Sequence, residues 1–416
     1  MSQARGISET EFDAMYASET VCQFESIKSR QRHPEARRRN GSAGRVQGMH
    51  SRRLKRWTWG KGYAARVQDL QALARVVAVI VAIAVAGRAQ AAPVNMATIG
   101  NPGNAANTTG LGAVGTAFKM ARTEVSNAEY AAFLNSVDAT GVNPRGIYNT
   151  LMGSGSNGGI TFNAAAANGA KYVVKSGSFP GSPAGAATYA NMPVNNVTWF
   201  SAARYMNWLQ NGEQANATTM ETGAYTLNNV TTGSTVARNA NATYFIPTAN
   251  EWYKAAFYNG STYTTYQTNS NTLPASTLTL STANAANYGL NTTNPYPTNV
   301  GAYANTQSFY GLFDMFGNVS EMTQPTVASA TYMLFGGNFN ATVASGTTFG
   351  ASNLGAAIAP TTVNTGFGFR VAAVPEPSSV VLAVLGIAGL GGAGLIRRRR
   401  NSRAVEVSAA AGDVQN

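Results

Sequence analysis

The feature that most limits the fold of this 416-residue chain is a set of three short helix signals, placed far apart in loop-forming sequence. "VSNAEYAAFLNSV" offers Ser126 as N-cap with Glu129 three residues later, a reciprocal capping pair. Tyr130, Phe133, Leu134 and Val137 then recur at the spacing of one helix face. "VTWFSAARYMNWLQNG" places Ala202, Tyr205, Met206 and Leu209 on one face, and Gly212 suits its C-terminal cap. "PTANEWYKAAFYNG" repeats the capping pair with Thr248 and Glu251 and sets its stop at Gly260. The stretches 212–243 and 259–300 are rich in Asn, Thr and Gly and carry no hydrophobic period. Short strands are expected at 118–125, 171–174, 225–227, 244–246, 332–335 and 367–372. Three short helices, scattered strands, long loops and no internal repeat imply a loop-rich α+β domain.

The net charge of +12 invites a nucleic-acid reading, but its placement argues against one. Residues 1–91 hold sixteen Lys and Arg against seven Asp and Glu, and residues 377–416 hold five against two. Residues 92–376 hold nine of each. Nucleic-acid binding needs a basic footprint on the folded domain, and this domain is neutral. The single cysteine is Cys22 and the two histidines are His33 and His50. A chain trimmed of that region has no disulfide, no thiolate nucleophile and no imidazole for zinc or a Ser-His pair.

Both ends read as addresses. Residues 51–66 are basic, Val76 to Ala86 are apolar, and "GRAQAAP" follows with Ala89 and Ala91 spaced as a signal-peptidase site. Eleven apolar residues are too few for a comfortable membrane span. Residues 1–91 are therefore expected to be a basic leader and secretory signal, with translation beginning at Met49. At the other end, Val380 to Ile396 is apolar and contains Gly386, Gly389, Gly391, Gly392 and Gly394. Arg397, Arg398, Arg399 and Arg400 follow it as a cytoplasmic stop. The order Pro375, Glu376, Pro377, apolar segment and arginine cluster resembles the PEP-CTERM sorting signal. That resemblance implies a precursor held transiently in the inner membrane and cut near Pro-Glu-Pro by an exosortase-type protease. The final location implied is the cell surface or extracellular matrix. The tail 401–416 extends past the point where such signals usually end.

Residues 92–374 carry a second resemblance, in six ordered blocks. They are "KMARTEVSNAEYAAFLNSV", "MPVNNVTWFSAARYMNWL", "FIPTANEWYKAAFY", "YGLFDMFGNVSEM", "LFGGNFN" and "GFGFRVA". Together they resemble the formylglycine-generating enzyme, or sulfatase-modifying factor, domain. The fold implied is the loop-rich α+β formylglycine-generating-enzyme fold, similar to C-type lectins. The chemistry implied is oxidation of a sulfatase cysteine by oxygen and copper, the metal being held by two cysteines after the fifth block. Copper(I) requires such soft thiolates. Here those positions fall at about Ala341 and Gly346, so neither copper nor the formylglycine reaction is expected. The histidines used by related iron-dependent sulfoxide synthases are missing as well.

The resemblance also implies calcium. Asp314, Asn318 and Glu321 match the family's second site, and the first begins at the Ala286–Asn287 step. The oxygen donors suit calcium, although no acidic residue lies between Asn287 and Asp314 to complete the first site. Against this stands a purely structural role, with Asn318 and Glu321 satisfying backbone groups in a tight loop. Asp314 with Glu321 can also be read as a hydrolase acid/base pair if both face one cleft. Trp199, Trp208 and Trp252 are expected in the core rather than as a sugar platform. Glu251 is expected as a cap, and Arg370 as the partner of a carboxylate. The functional expectation is an exported binding or structural module, with exopolysaccharide as ligand class. The alternative is an enzyme of the parental class with altered chemistry.

Overall fold

The structure, a computed structural model, describes residues 94–180, 182, 185–289, 296–341 and 355–375. The expected leader, Met49, Gly346, Glu376, Pro377, the apolar tail and Arg397–Arg400 lie outside the described residues. Among those described, no helix is long and apolar enough to cross a membrane.

All three helix signals become helices: α1 (Asn127–Val137), α2 (Trp199–Gln210) and α3 (Ala249–Phe257). Ser126 with Glu129, and Thr248 with Glu251, form the reciprocal capping boxes read from sequence. Thr198 caps α2, and Gly212 follows it at φ +71°. α3 ends before Gly260. Thr264 takes the Phe257 carbonyl through both its amide and its hydroxyl, and Tyr258 bridges Tyr263. That turn competes successfully for the acceptor the helix would have used.

Twelve short strands accompany the helices among the described residues. β1 (Met96–Ile99), β2 (Phe118–Ala121), β12 (Ala372–Ala373) and β5 (Tyr244–Phe245) form one antiparallel sheet in the order β1-β2-β12-β5. β10 (Ala356–Ile358), β9 (Tyr332–Phe335), β8 (Ser320–Met322) and β11 (Phe367–Gly368) form a second in the order β10-β9-β8-β11, with β8 and β11 parallel. β3 (Ile160–Phe162) pairs with β4 (Tyr172–Val174), and β6 (Ala275–Ser276) with β7 (Ala285–Ala286). The expected strand at 225–227 is reduced to a single bridge, Tyr225 to Arg238. Its ladder bonds are replaced by one side chain: Asn207 accepts from the Tyr225 amide at 2.7 Å and donates to its carbonyl at 2.9 Å. The expected strand at 367–372 is divided. Its first half pairs in one sheet and its end pairs in the other, so residues 369–371 join the two sheets.

The larger core packs α1 on α2. Tyr130 stacks on Tyr205 with ring centroids 6.0 Å apart, and Phe133 meets Trp208 at 5.5 Å. A second core gathers Phe118, Trp252, Tyr253, Phe257 and Phe335 around α3. Trp199, Trp208 and Trp252 are all buried, so none offers a sugar platform.

The Asn-rich loops have a physical explanation. Eight of the ten non-glycine described residues with positive φ are asparagine, the residue type that tolerates the left-handed region best after glycine. Others fold their side-chain oxygen onto the amide two residues on, as Asn149 does to Leu151 and Asn364 to Gly366. Much of the asparagine thus builds the loops.

Candidate functional site

The sequence blocks meet at Arg370, in the segment joining the two sheets. Its guanidinium is fully buried and donates in three directions. Nη2 reaches Glu321 Oε1 at 2.6 Å, and Nε lies 3.0 Å from Oε2. Nη2 also donates to the Phe313 carbonyl at 2.8 Å, and Nη1 to the Ala121 carbonyl at 2.9 Å. One side chain therefore ties β2, the 313 loop and β8 to the crossing segment. Glu321 Oε2 also accepts from Trp252 Nε1 at 2.7 Å, which brings in α3.

Two further carboxyls stand beside this fork. Glu124, buried in the middle of the "TEV" step, accepts from Asn318 Nδ2 at 3.0 Å. Asp314 accepts from the Gly301 amide at 2.5 Å. The cluster thus holds Glu124, Asp314 and Glu321 against one guanidinium. Burial, with the neighbouring Asp314 charge, pushes the Glu124 carboxyl well up from the usual carboxylate range. Burial also pushes Asp314 up, to about 6, against the opposing pull of the Gly301 amide and Arg370.

The four residues expected to hold calcium are brought to one region, but their polar atoms are largely engaged by protein. Both Glu321 oxygens bind Arg370 and Trp252. Asn318 Oδ1 accepts from the Thr298 amide at 2.9 Å. The Asn287 side chain donates to Tyr296, and its backbone carbonyl accepts the Asn318 amide. Among the described residues no group of three or more acidic, histidine or cysteine side chains is arranged to hold a metal. A calcium ion taking Glu321 and Asn318 would have to break the Arg370 fork and the Thr298 bond, so the arrangement does not fit one. The same geometry rules out Asp314 and Glu321 as an acid/base pair in a cleft, because Glu321 is 1% exposed and ion-paired. Glu251 caps α3 and Arg370 holds a carboxylate, as their sequence contexts indicate.

The loop that would carry copper ligands begins at the "GGNFN" block. Asn338 Nδ2 donates to Ser320 at 3.2 Å, and its side chain occupies the space where a Gly366 side chain would stand. The Phe339 amide donates to the Asn318 carbonyl. Ala341, at the first expected cysteine position, packs against a small cluster of Ala286, Tyr288 and Phe316. The signal that linked these blocks was their order; the convergence on Glu124 was not legible, because nothing marks a buried carboxyl in "RTEVS".

Residues 98–374 match the model of the sulfatase-modifying factor enzyme 1-like domain. The chain belongs to that family. Residues 373–400 match the PEP-CTERM protein-sorting motif, which implies recognition by exosortase-type processing and export through a membrane-anchored precursor. Among solved structures, Treponema denticola variable protein 1 is similar at 19% identity over 67% of this chain and 95% of its own, with a TM-score of 0.43. CarF is similar at 20% identity over 68% and 99%, with a TM-score of 0.40. PvdO from Pseudomonas aeruginosa is similar at 16% identity over 68% and 92%, with a TM-score of 0.33. No curated protein matches the sequence. The family match covers the α+β body with all three helices, and the sorting match begins at β12.

Proposed function

We propose that this chain is an exported surface or matrix protein whose sulfatase-modifying-factor-like domain serves as a binding module for polysaccharide rather than as an oxidase. The observation that carries the reading is chemical. From residue 51 onward the sequence has no cysteine and no histidine, and alanine stands at the first expected copper position. Copper(I) oxidation has no thiolate to work with. Glu321 is held in a buried ion pair with Arg370 and Glu124 is bonded to Asn318, which leaves neither free for general acid/base work. What remains is a fold that displays long polar loops, together with a sorting signal that sends it outside.

The test uses the full chain in detergent micelles, titrated calorimetrically with neutral exopolysaccharide from the producing strain. Saturable binding supports the module, and heat no greater than dilution overturns it. A parallel incubation with copper, oxygen and a sulfatase peptide addresses the parental activity. Formylglycine in the peptide by mass spectrometry would restore the enzyme reading.

A further inference from the structure

The sorting motif starts at residue 373, inside β12, an interior strand flanked by β2 and β5. Ala372 pairs with Met120 on one side and Phe245 on the other, and Ala373 pairs with Lys119 and Tyr244. The Val374 amide adds one more rung, donating to the Thr243 carbonyl at 2.9 Å. The ladder then stops for a local reason. Alternate residues of an interior strand turn their amides to opposite neighbours. The same register sets residue 375 opposite Ala117, and Pro375 has no amide hydrogen to give it.

The sheet keeps a space for the strand to continue. A surface depression of about 540 Å³ lies past the end of β12. Thr116, Ala117 and Phe118 line it on the β2 side, and Ala242 and Phe245 on the β5 side. These are the residues between which a longer β12 would run: the register sets Phe118 opposite 374 and Thr116 opposite 376, with Ala242 across from 375. Val374, 41% exposed, and Pro375 already belong to the lining.

One cation lines the depression. Arg238 lies 3.9 Å over the Phe245 ring and is 31% exposed. Among the described residues its guanidinium makes one hydrogen bond, a long one of 3.4 Å to Glu251 Oε1. The other Glu251 oxygen accepts from the Thr248 amide at 2.7 Å, within the α3 capping box. A guanidinium carries five N–H donors, so Arg238 has donors left for a second acceptor. Residues paired across strands share a face, as do residues two apart along one strand. Phe245, Ala372, Val374 and position 376 therefore fall on one face, the face over which Arg238 lies. Position 376 is a glutamate.

We propose that this depression seats the sorting motif itself: Pro375, Glu376 and Pro377 continue the line of β12, and the Glu376 carboxylate takes the remaining donors of Arg238. Val374 and Glu376 each precede a proline, which confines both to the extended backbone that such a continuation needs. The occupant is delivered by its own chain, since Glu376 follows directly on a residue of the lining, so little loop entropy opposes docking. A carboxylate on a guanidinium is a charge-assisted pairing, and no other residue of the motif offers one. The consequence concerns processing. A sorting protease meets Pro-Glu-Pro seated on the folded body rather than on a free linker, and must draw Glu376 off Arg238 to take the motif. This inference stands apart from polysaccharide binding.

The test uses the full chain in detergent micelles, with Cys22→Ser. Residues 116 and 376 would oppose each other as a non-hydrogen-bonded antiparallel pair, whose close spacing suits a disulfide. Thr116→Cys with Glu376→Cys is expected to crosslink within one chain under oxidised glutathione, roughly tenfold faster than Thr116→Cys with Ser379→Cys. No crosslink, or equal rates for the two pairs, overturns the seat. A crosslink between two chains shows that the depression takes a neighbouring copy's tail and overturns the intramolecular reading. The carboxylate contact is read separately, by hydrogen exchange of the peptide following Val374. Arg238→Gln and Glu376→Gln are each expected to speed that exchange roughly two- to fivefold, and the double variant no more than either alone. Parental exchange in both single variants, or additive effects in the double, overturns the Arg238–Glu376 contact.

Discussion

Replacing Arg370 with methionine tests the central cluster most directly. The change keeps the apolar stem but removes the fork that holds Glu321 and the two carbonyls of Ala121 and Phe313. Breaking a fully buried ion pair by removing one partner costs about 3–5 kcal/mol. For a body of this size that lowers the melting temperature by roughly 6–20 °C. The cost depends on pH, and its sign follows from the raised carboxyls. Asp314 titrates at about 6 in the fold against 3.8 as a free side chain, and Glu124 is raised too. The folded form therefore holds extra protons through that interval. The stability this contributes is full below about pH 4 and is lost as pH rises through about 6. Removing Arg370 deletes the one cation that lowers both groups, so the native carboxyls hold protons to still higher pH. The deficit of the variant is then larger at pH 7.5 than at pH 5, where protonation neutralises the stranded carboxylates. Thermal melts followed by tryptophan fluorescence at both pH values measure this. A loss under about 1 kcal/mol at pH 7.5, or an equal loss at both pH values, refutes the argument.

The remaining predictions rest on separate features. Arg238→Gln breaks an ion pair whose arginine is 31% exposed, so its stability is expected to fall by less than about 1 kcal/mol in the same melts. Thr248→Ala removes the side-chain half of the α3 capping box and is expected to cost about 1 kcal/mol, read as a lowered urea midpoint. Gly317→Ala is expected to impair folding severely, because its φ is +90° and a Cβ would lie 2.3 Å from the Asn287 carbonyl oxygen. Soluble yield and circular dichroism check that outcome. Millimolar calcium and a chelator are expected to leave the melting temperature unchanged, since the candidate ligands are bound to protein groups; a calcium-dependent rise refutes this.

The sequence alone determined the parts governed by neighbours along the chain. Capping boxes, helix faces and the C-terminal sorting motif are short patterns whose physics is local, so Ser126–Glu129 and Thr248–Glu251 were legible at once. The absence of cysteine and histidine from residue 51 onward is also a sequence fact, and it leaves that part of the chain without a thiolate or an imidazole. Tertiary structure decided where long-range partners compete for the same atoms. Asn207 took the bonds that would have made a strand at Tyr225, and two sheets divided the segment at 367–372. Glu321, readable beforehand as a calcium ligand or a catalytic acid, became the partner of Arg370, forty-nine residues away. The same carboxyl group serves each of those roles. Only its burial and the cation placed against it select among them, and both are set by residues distant in sequence.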